Sequence, residues 1–229
     1  MYYGGIDLLL VIPPLILALV AQGMVKSAYA KYSKVGASSR VTGAQVARLL
    51  LNQGGAGDVT IEEIQGRLTD HYDPRKKILR LSQGVFGSSS LAALGIAAHE
   101  TGHALQHHQR YVPLIARNVI YPVANIGSTL AFPLFFIGLI TAGSGKSILM
   151  DIGILLFVGA VVFTVVTLPV EFNASQRAVV LLKNQGYLGP QELVGAKKVL
   201  RAAALTYVAA TATAVLQLLR LLMIRSSRD

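Results

Sequence analysis

The chain contains no cysteine, and it has few charged residues, with acidic residues the scarcer. Without cysteine there are no disulfides and no thiolate metal sites, so a metal ion would have to be held by histidine and carboxylate ligands. Charged residues make up only 14% of the 229 residues, whereas about 25% is usual for a soluble domain. Hydrophobic residues reach 53% and the mean hydropathy is +0.54, so the composition indicates a membrane protein.

The charge that remains is basic, with a net charge of +10 from 21 lysines and arginines against 11 acidic residues. A nucleic-acid surface would combine such charge with interleaved aromatic side chains. Here the basic residues lie between apolar stretches, which is typical of the cytoplasmic loops of membrane proteins. We therefore expect contact with membrane lipid and no nucleic-acid partner.

Four apolar stretches predict a mainly α-helical integral membrane protein with about four transmembrane helices. Two of them have the roughly 20 apolar residues that cross about 30 Å of hydrocarbon. The first stretch contains Pro13 and Pro14 and predicts a kinked span, with an interfacial anchor as the alternative. The last contains Arg220 and predicts a span, with a helix lying on the bilayer as the alternative. In chain order the stretches are Ile6 to Gln22, 118 to 142, 148 to 170, and Ala202 to Met223.

The basic residues of the connecting segments predict the orientation. Residues 24–117 carry twelve lysines and arginines and residues 171–201 carry five, whereas the 143–147 turn has only Lys146 and the N-terminus before Ile6 has none. The two long segments should therefore face the cytoplasm, with both termini outside. Arg225 and Arg228 would then lie outside, against the rule that basic residues favour the cytoplasmic side.

The chain is long enough for one domain or two small ones, and the spans divide it into five segments. We expect a first membrane segment, then a segment with the helix 91–108, then two transmembrane helices, then a connecting helical segment, and finally the last membrane helix and tail. Their ranges are 1–23, 24–117, 118–170, 171–201 and 202–229.

The 24–117 segment predicts a small α+β unit. Thr42 is a good N-cap for a helix with an apolar face at Val46, Leu49 and Leu50, which ends at Gly54 or Gly55. Two runs of alternating apolar and polar residues, 59–64 and 76–81, follow and predict a β-hairpin around the turn at Asp73 and Pro74. Serines 88 to 90 are candidate N-caps for a helix that starts near Leu91.

That helix contains four of the five histidines, in AALGIAAHETGHALQHH at residues 92–108. His99 and His103 are four residues apart, so their imidazoles project from one face and can bind one ion. Glu100 lies beside that face. This is the H-E-x-x-H pattern, in which zinc activates water and the glutamate accepts its proton. The alternative is a structural pair of histidines at a helix face.

A hydrolytic zinc site needs a third protein ligand. His107 lies two helical turns, or about 12 Å, from His99 and is too far away, so we expect His107 and His108 to be interfacial or solvated. Gln106 and Gln109 occupy the positions where a metzincin has glycine and histidine, which excludes that class.

The third ligand should come from a second helix, and Glu171 is the strongest candidate. It ends an apolar run on the same side of the membrane as the 91–108 helix, next to the small residues Ala174, Ser175 and Ala178, which allow close helix approach. An ordinary juxtamembrane charge is the alternative. Asp151 falls at the outer end of a span, Asp229 is the C-terminus, and Glu192 fits the first turn of a helix.

Four blocks of the sequence resemble those of the YugP-type membrane zinc metallopeptidases, also described as neutral zinc metallopeptidases. They are HYDPRKKILRLS, SLAALGIAAHETGHALQ, LPVEFNASQRA and GAKKVLRAAALTYVAA, and the similarity runs from about residue 40 to 210. The resemblance implies a bacterial membrane protein with a zincin-like site of the gluzincin type. One zinc ion would be held by His99, His103 and Glu171, with Glu100 as the catalytic base.

One position departs from related membrane proteases of the HtpX and CAAX prenyl types. Their glutamate ligand is followed four residues later by an aspartate, and that position here is Ser175. The ligands' outer hydrogen bonds must then come from elsewhere, and Asn173 or Arg177 could supply them.

The predicted function is hydrolysis of peptide bonds in a peptide or protein substrate, at the cytoplasmic face of the cell membrane. We expect an extended substrate to pair with the edge of the 76–81 strand. His71, Tyr72 and Arg177 have donors suited to stabilising an oxyanion, but none is assigned that role. The alternatives are a catalytically silent scaffold, in which zinc joins two helices, and a transporter or channel. The spans contain few of the polar residues that a transporter needs, and nothing in the sequence indicates an oligomeric state.

Overall fold

The computed structural model describes residues 3–141 and 147–227, and most of them are helical. Lys146, Arg228 and Asp229, which entered the predictions above, lie outside these residues. The described elements are α1 (Tyr3–Tyr32), α2 (Gly43–Gln53), β1 (Thr60–Ile64), β2 (His71–Asp73), β3 (Ile78–Ser82), α3 (Gln83–Phe86), α4 (Leu91–His108), α5 (Val112–Thr141), α6 (Ile148–Asn184) and α7 (Pro190–Ser226).

Four of these helices are long and apolar enough to cross a membrane, as the sequence predicted. The spans with this character are Leu10–Tyr32, Val112–Thr141, Ile148–Asn184 and Pro190–Ser226. The helices continue well past the apolar stretches into segments that carry charge. Pro13 and Pro14 lie inside α1, and Glu171 lies inside α6.

The described chain divides into two units, both discontinuous in sequence. Unit 1 comprises Met1–Val20, Ile115–Leu168 and Thr206–Asp229, and unit 2 comprises Ala21–Leu114 and Pro169–Leu205. The core of unit 1 is aromatic and aliphatic, with Phe135, Met150 and Leu221 fully buried. Phe132 and Phe157 pack edge to face in it, with ring centroids 5.3 Å apart.

Helix α2 contributes to the hydrophobic core of unit 2. Thr42 is its N-cap, and the reciprocal bonds between Thr42 and Gln45 form a capping box, as expected for Thr-x-x-Gln. Val46 and Leu50 are fully buried as predicted, but Leu49 is 41% exposed and Leu51 is buried instead. The buried stripe therefore includes the neighbouring position rather than Leu49.

The sheet of unit 2 differs from the predicted hairpin. β1 pairs with β3 in parallel, from Thr60 with Ile78 to Ile64 with Ser82, and β2 pairs with β3 antiparallel. The Asp73–Pro74 turn therefore joins β2 to β3, and the prediction that runs 59–64 and 76–81 form a hairpin is wrong. Alternation of apolar and polar residues identifies a strand but does not specify its partner or direction.

The strand order β1-β3-β2 also corrects the predicted substrate edge. Strand β3 is hydrogen-bonded on both sides, so the 76–81 run has no free edge on which a peptide could add. Its apolar side chains Leu79 and Leu81 are fully buried, and β3 serves as the central strand of the unit.

Helix α4 starts where the serines predicted it. Ser90 is the N-cap, and its hydroxyl accepts from the backbone N–H of Ala93. Leu91, Leu94 and Ala98 are buried in the core. His99 and His103 lie on the face of α4 that is only partly buried. The buried residues of the same helix hold it rigidly, so the two imidazoles have a fixed support.

Candidate metal centre

The structure brings His99 and His103 of α4 together with Glu171 of α6. The Nε2 atoms of the two histidines are 3.2 Å apart. Oε2 of Glu171 lies 3.3 Å from Nε2 of His99 and 3.4 Å from Nε2 of His103. The three atoms form a nearly equilateral triangle, and among the described residues these side chains are a group that could hold a metal ion.

Close packing of α4 on α6 places Glu171 beside the histidines. A Cβ at Gly102 would lie 2.8 Å from the backbone oxygen of Ala174 and 3.2 Å from its Cα, so only glycine allows this approach. Ala174 and Ala178 are fully buried on the facing side of α6. The small residues that follow Glu171 in the sequence therefore have the packing role predicted for them.

The surroundings of Glu171 fit a metal ligand better than a structural carboxylate. Glu171 is 3% exposed, and its Oε2 has no hydrogen-bond partner in the described part of the chain. Leaving a buried polar atom unpaired costs about 1–3 kcal/mol, and more when the group is charged. In a tetrahedral zinc site with ligand distances of about 2.0–2.1 Å, ligand atoms lie about 3.3–3.4 Å apart. The observed triangle matches that spacing.

His103 has a well-defined partner on its other nitrogen. Its Nδ1 lies 3.0 Å from Oε1 of Gln106, one turn further along α4. Burial by itself would lower the pKa of His103, but the carboxylates of Glu171 and Glu100 outweigh it and hold that pKa above its usual 6.5. A metal ion competes with a proton for the same Nε2 atom.

Gln106 is fully buried and links α4 to α6. Its Nε2 donates to the backbone oxygen of Val170 at 2.8 Å and to Oδ1 of Asn173 at 3.0 Å. Asn173 in turn accepts from Nε of Arg177 at 2.7 Å. Asn173 and Arg177 were the predicted outer partners, but they reach His103 only through Gln106, whose contact with the histidine was not predicted.

His99 has a different outer partner. Its Nδ1 lies 3.1 Å from Oγ of Ser175, so the residue at the position of the aspartate in the HtpX-type proteases contacts the candidate ligand His99. A serine hydroxyl either donates or accepts a hydrogen bond. The outer hydrogen bond to His99 is therefore neutral rather than carboxylate-based.

Glu100 is half-buried next to this cluster. Within residues 3–141 and 147–227 its carboxylate makes no hydrogen bond, and its charge acts on the neighbouring imidazole of His103. Glu100 directly follows the candidate ligand His99 in the sequence.

The other candidate groups have structural partners. Oη of Tyr72 lies 2.9 Å from Nδ1 of His107, and burial raises the pKa of Tyr72 to about 12. His71 lies 3.3 Å from Arg80, and Arg177 is bound to Asn173 and Gln109. As expected, His107 is outside the candidate metal cluster.

The remaining acidic candidates for a third ligand are engaged elsewhere. Asp151 is paired with Arg225, Oδ1 to Nε at 2.7 Å, so an arginine that violated the charge rule has a local partner. Glu192 accepts from the backbone N–H of Ser38 at 2.6 Å and from that of Gly189 at 2.8 Å. Glu192 lies in the first turn of α7, as predicted. It also connects that turn to the loop after α1, which was not predicted.

Comparison with known proteins agrees with this site. Residues 7–226 match the family described as "Putative neutral zinc metallopeptidase". The chain belongs to this family. It is 48% identical over 215 residues to a Bacillus subtilis (strain 168) protein named "Putative membrane protease YugP", with 94% of each chain covered. No solved structure matches the chain. The resemblance stated from the four sequence blocks is thus confirmed.

Proposed function

We propose that this chain is a membrane-embedded zinc peptidase of the gluzincin type, with His99, His103 and Glu171 as zinc ligands and Glu100 as general base. The observation that carries the proposal is the buried Oε2 of Glu171, which lacks a hydrogen-bond partner and forms a triangle with two imidazole Nε2 atoms. The family description and the name of the Bacillus relative support the same chemistry.

The reaction is hydrolysis of a peptide bond. When bound, zinc would act as a Lewis acid, polarising the scissile carbonyl and lowering the pKa of a water molecule. Glu100 accepts the proton that water loses as its oxygen bonds to the carbonyl carbon. Glu100 then delivers that proton to the amine nitrogen as the carbon–nitrogen bond breaks. The Glu100 carboxylate and the rigid packing of α4 support this role.

The substrate is a peptide or protein chain, and the four apolar helices support lipid as the protein's surroundings. Because twelve basic residues lie between residues 24 and 117, we place the catalytic segments on the cytoplasmic side of the cell membrane. The absence of cysteine makes this testable with single cysteines at the exposed positions Gln65 and Ser226. An impermeant thiol reagent applied to intact cells should label Ser226→Cys and spare Gln65→Cys, and the reverse pattern contradicts the orientation.

The activity is tested with the purified, detergent-solubilised parent and its Glu100→Gln variant. We expect one zinc per chain in both proteins, with cleavage of a peptide mixture by the parent only. Glu63→Gln makes the same chemical change at an exposed strand position and should keep both properties. Peptide cleavage by Glu100→Gln at the parental rate contradicts the assigned base. An absence of zinc from the parent contradicts the metal site.

The scaffold alternative makes a different prediction in the same experiment. If zinc only joins α4 to α6, the parent holds zinc and cleaves no peptide, and Glu100→Gln has no effect on the protein's function. The carboxylate of Glu100 favours the peptidase, because a structural site requires only the three ligands.

A further inference from the structure

Gln106, next to the candidate metal centre, is polar yet fully buried. Its side-chain amide makes three hydrogen bonds, one through Oε1 and two through Nε2. A buried amide with these atoms paired has one favourable orientation, since exchanging its oxygen and nitrogen would oppose like groups.

Two fixed groups determine which way this amide faces. The backbone oxygen of Val170 only accepts hydrogen bonds, so the Gln106 atom 2.8 Å away must be the NH2 group. The Arg177 guanidinium only donates, so the Asn173 atom 2.7 Å from its Nε must be the oxygen. That oxygen then accepts from Gln106, and both constraints leave Oε1 of Gln106 facing His103.

An amide oxygen facing His103 has a direct consequence for the imidazole. Because Oε1 only accepts, Nδ1 of His103 must carry the hydrogen, and Nε2 of the neutral ring is left with its lone pair. That lone pair is on the atom that faces Glu171 and His99. Neutral imidazole in this tautomer is the form that binds a metal through Nε2.

We propose that Gln106 is a positioning residue that holds His103 in the metal-binding tautomer, and that Arg177 fixes its orientation through Asn173. The proposal rests on the proposed function, because it assumes that His103 is a ligand. It assigns no contact between Gln106 and the substrate. The guanidinium of Arg177 only donates hydrogen bonds, and it thus determines which nitrogen of His103 carries the hydrogen. This influence passes through the neutral amides of Asn173 and Gln106, and no carboxylate takes part.

His99 provides the contrast within the same site. Ser175 is its partner, and a hydroxyl accepts from an N–H or donates to a lone pair equally well. Ser175 therefore restrains the His99 ring without selecting a tautomer. Of the two histidines, only His103 is prepared for the metal before it binds.

The first test is zinc affinity, measured by competition with a chromophoric chelator. Gln106→Met keeps the length of the side chain but removes both amide groups, and we expect zinc binding to weaken about 10–100-fold, as losing an outer partner of a ligand does. Gln53→Met is the matched control, since the Gln53 amide bonds to Gln185 on another surface, and it should bind zinc like the parent. Parental affinity in Gln106→Met overturns the proposal.

The second test observes the tautomer itself in the zinc-free parent, so it does not depend on zinc binding or on activity. Nitrogen-15 spectra of histidine-labelled protein, recorded at alkaline pH and assigned with single His→Asn variants, should show His103 with its hydrogen on Nδ1. Hydrogen on Nε2 overturns the proposal even if the protein is an active peptidase. If the parent binds no zinc but His103 has the Nδ1 hydrogen, the proposed function fails and the positioning contact stands.

A conservative pair of variants tests the part assigned to Asn173 and Arg177. Asn173→Asp retains an acceptor for both Gln106 and Arg177, so zinc affinity should stay near the parental value. Asn173→Leu removes that acceptor, and we expect a loss smaller than that of Gln106→Met, because Val170 still orients the amide. Equal affinities in the two variants contradict the role of Asn173 and Arg177.

Discussion

Helix α6 carries two carboxylates whose surroundings are opposite. Asp151, in its first turn, has a side chain that is 54% exposed, and it accepts hydrogen bonds from Arg225. Glu171 is 3% exposed, and its Oε2 makes no hydrogen bond within the described chain, although the Nε2 atoms of His99 and His103 lie 3.3 and 3.4 Å away. An exposed, paired carboxylate changes the stability of the fold little, whereas a buried carboxylate oxygen without a hydrogen bond lowers it. Stability alone therefore does not explain why Glu171 is buried at this position.

The largest effect is expected when the two carboxylates are each converted to an amide. Glu171→Gln removes the anionic ligand, so zinc affinity should fall by more than the roughly 100-fold upper limit for losing an outer partner. Asp151→Asn makes the same change in unit 1 and should leave zinc affinity within about twofold of the parent. Chelator competition on both purified proteins measures this, and equal affinities would contradict the assignment of Glu171.

The next effect concerns the helix approach that brings Glu171 to the histidines. Gly102→Ala should lower the free energy of unfolding by about 1–3 kcal/mol, as overpacking does, because the new methyl group meets the backbone of Ala174. Zinc affinity should fall as well, since α4 and α6 must separate.

Gly95→Ala is the control on the same helix. Its Cβ would meet that of Ala196 at 3.4 Å, an ordinary contact, and replacing a helical glycine by alanine is favourable by up to about 1 kcal/mol. Thermal unfolding of the two variants distinguishes these cases. If Gly102→Ala is as stable as Gly95→Ala, the close approach is not required.

A third carboxylate, Asp70, sharpens the comparison because it is partly buried but has donors. It accepts from the backbone N–H of Ser82 at 2.7 Å and from the Ser82 hydroxyl. Burial outweighs these bonds and raises the pKa of Asp70 above 3.8. The folded protein therefore keeps this proton to a higher pH than the unfolded chain, so the contribution of Asp70 to stability falls as pH rises above about 3.8.

Asp70→Asn should remove that fall, so the variant gains stability relative to the parent as the pH increases from about 4. Asp73→Asn is a control with the opposite sign. The backbone N–H of Lys76 holds the pKa of Asp73 below its usual value, so Asp73 stabilises the fold above about pH 3.8 and loses that contribution as the pH falls through its lowered pKa. This variant should therefore lose stability relative to the parent as the pH rises toward about 4, below the range in which Asp70→Asn gains it. Unfolding in mixed micelles across pH measures both, and parallel profiles would contradict the assigned signs.

The smallest effect is expected from breaking the ion pair of unit 1. Arg225→Gln should lower the free energy of unfolding by at most about 1 kcal/mol, as is usual for exposed pairs, and should leave zinc binding unchanged. A loss of several kcal/mol would mean that the Asp151–Arg225 pair is far less accessible to solvent than its exposure indicates.

The sequence predicted the parts of the structure that depend on local patterns. The spacing of His99 and His103, the caps at Thr42 and Ser90, and the four apolar helices follow from periodicity and from residue preferences over a few positions. Glu171 could be anticipated because few acidic residues remain after residue 100 and small residues follow it. Its role as a zinc ligand, like that of the two histidines and of Glu100, stays a prediction.

The parts that the sequence did not predict depend on contacts between distant residues. The three-residue strand β2 is too short to show alternation, and the parallel pairing of β1 with β3 leaves no local signal. Gln106 lies in a helix among ordinary polar residues, and its bond to Val170 spans 64 positions. A glutamine one turn after the second histidine of H-E-x-x-H is the signal that could have identified it.

The bond between Glu192 and Ser38 has a consequence for the order of events during synthesis. The two residues are 154 positions apart, and ribosomes add about 5–20 residues per second, so about 8–30 s separate their appearance. Leu193 and Ala196 complete the same hydrophobic core as Val46 and Leu50. The N-terminal part of unit 2 therefore cannot complete its core, and its apolar face stays exposed, until α5, α6 and the start of α7 have been synthesised. We expect a chain that stops after Leu114 to depend on chaperones and to remain unfolded.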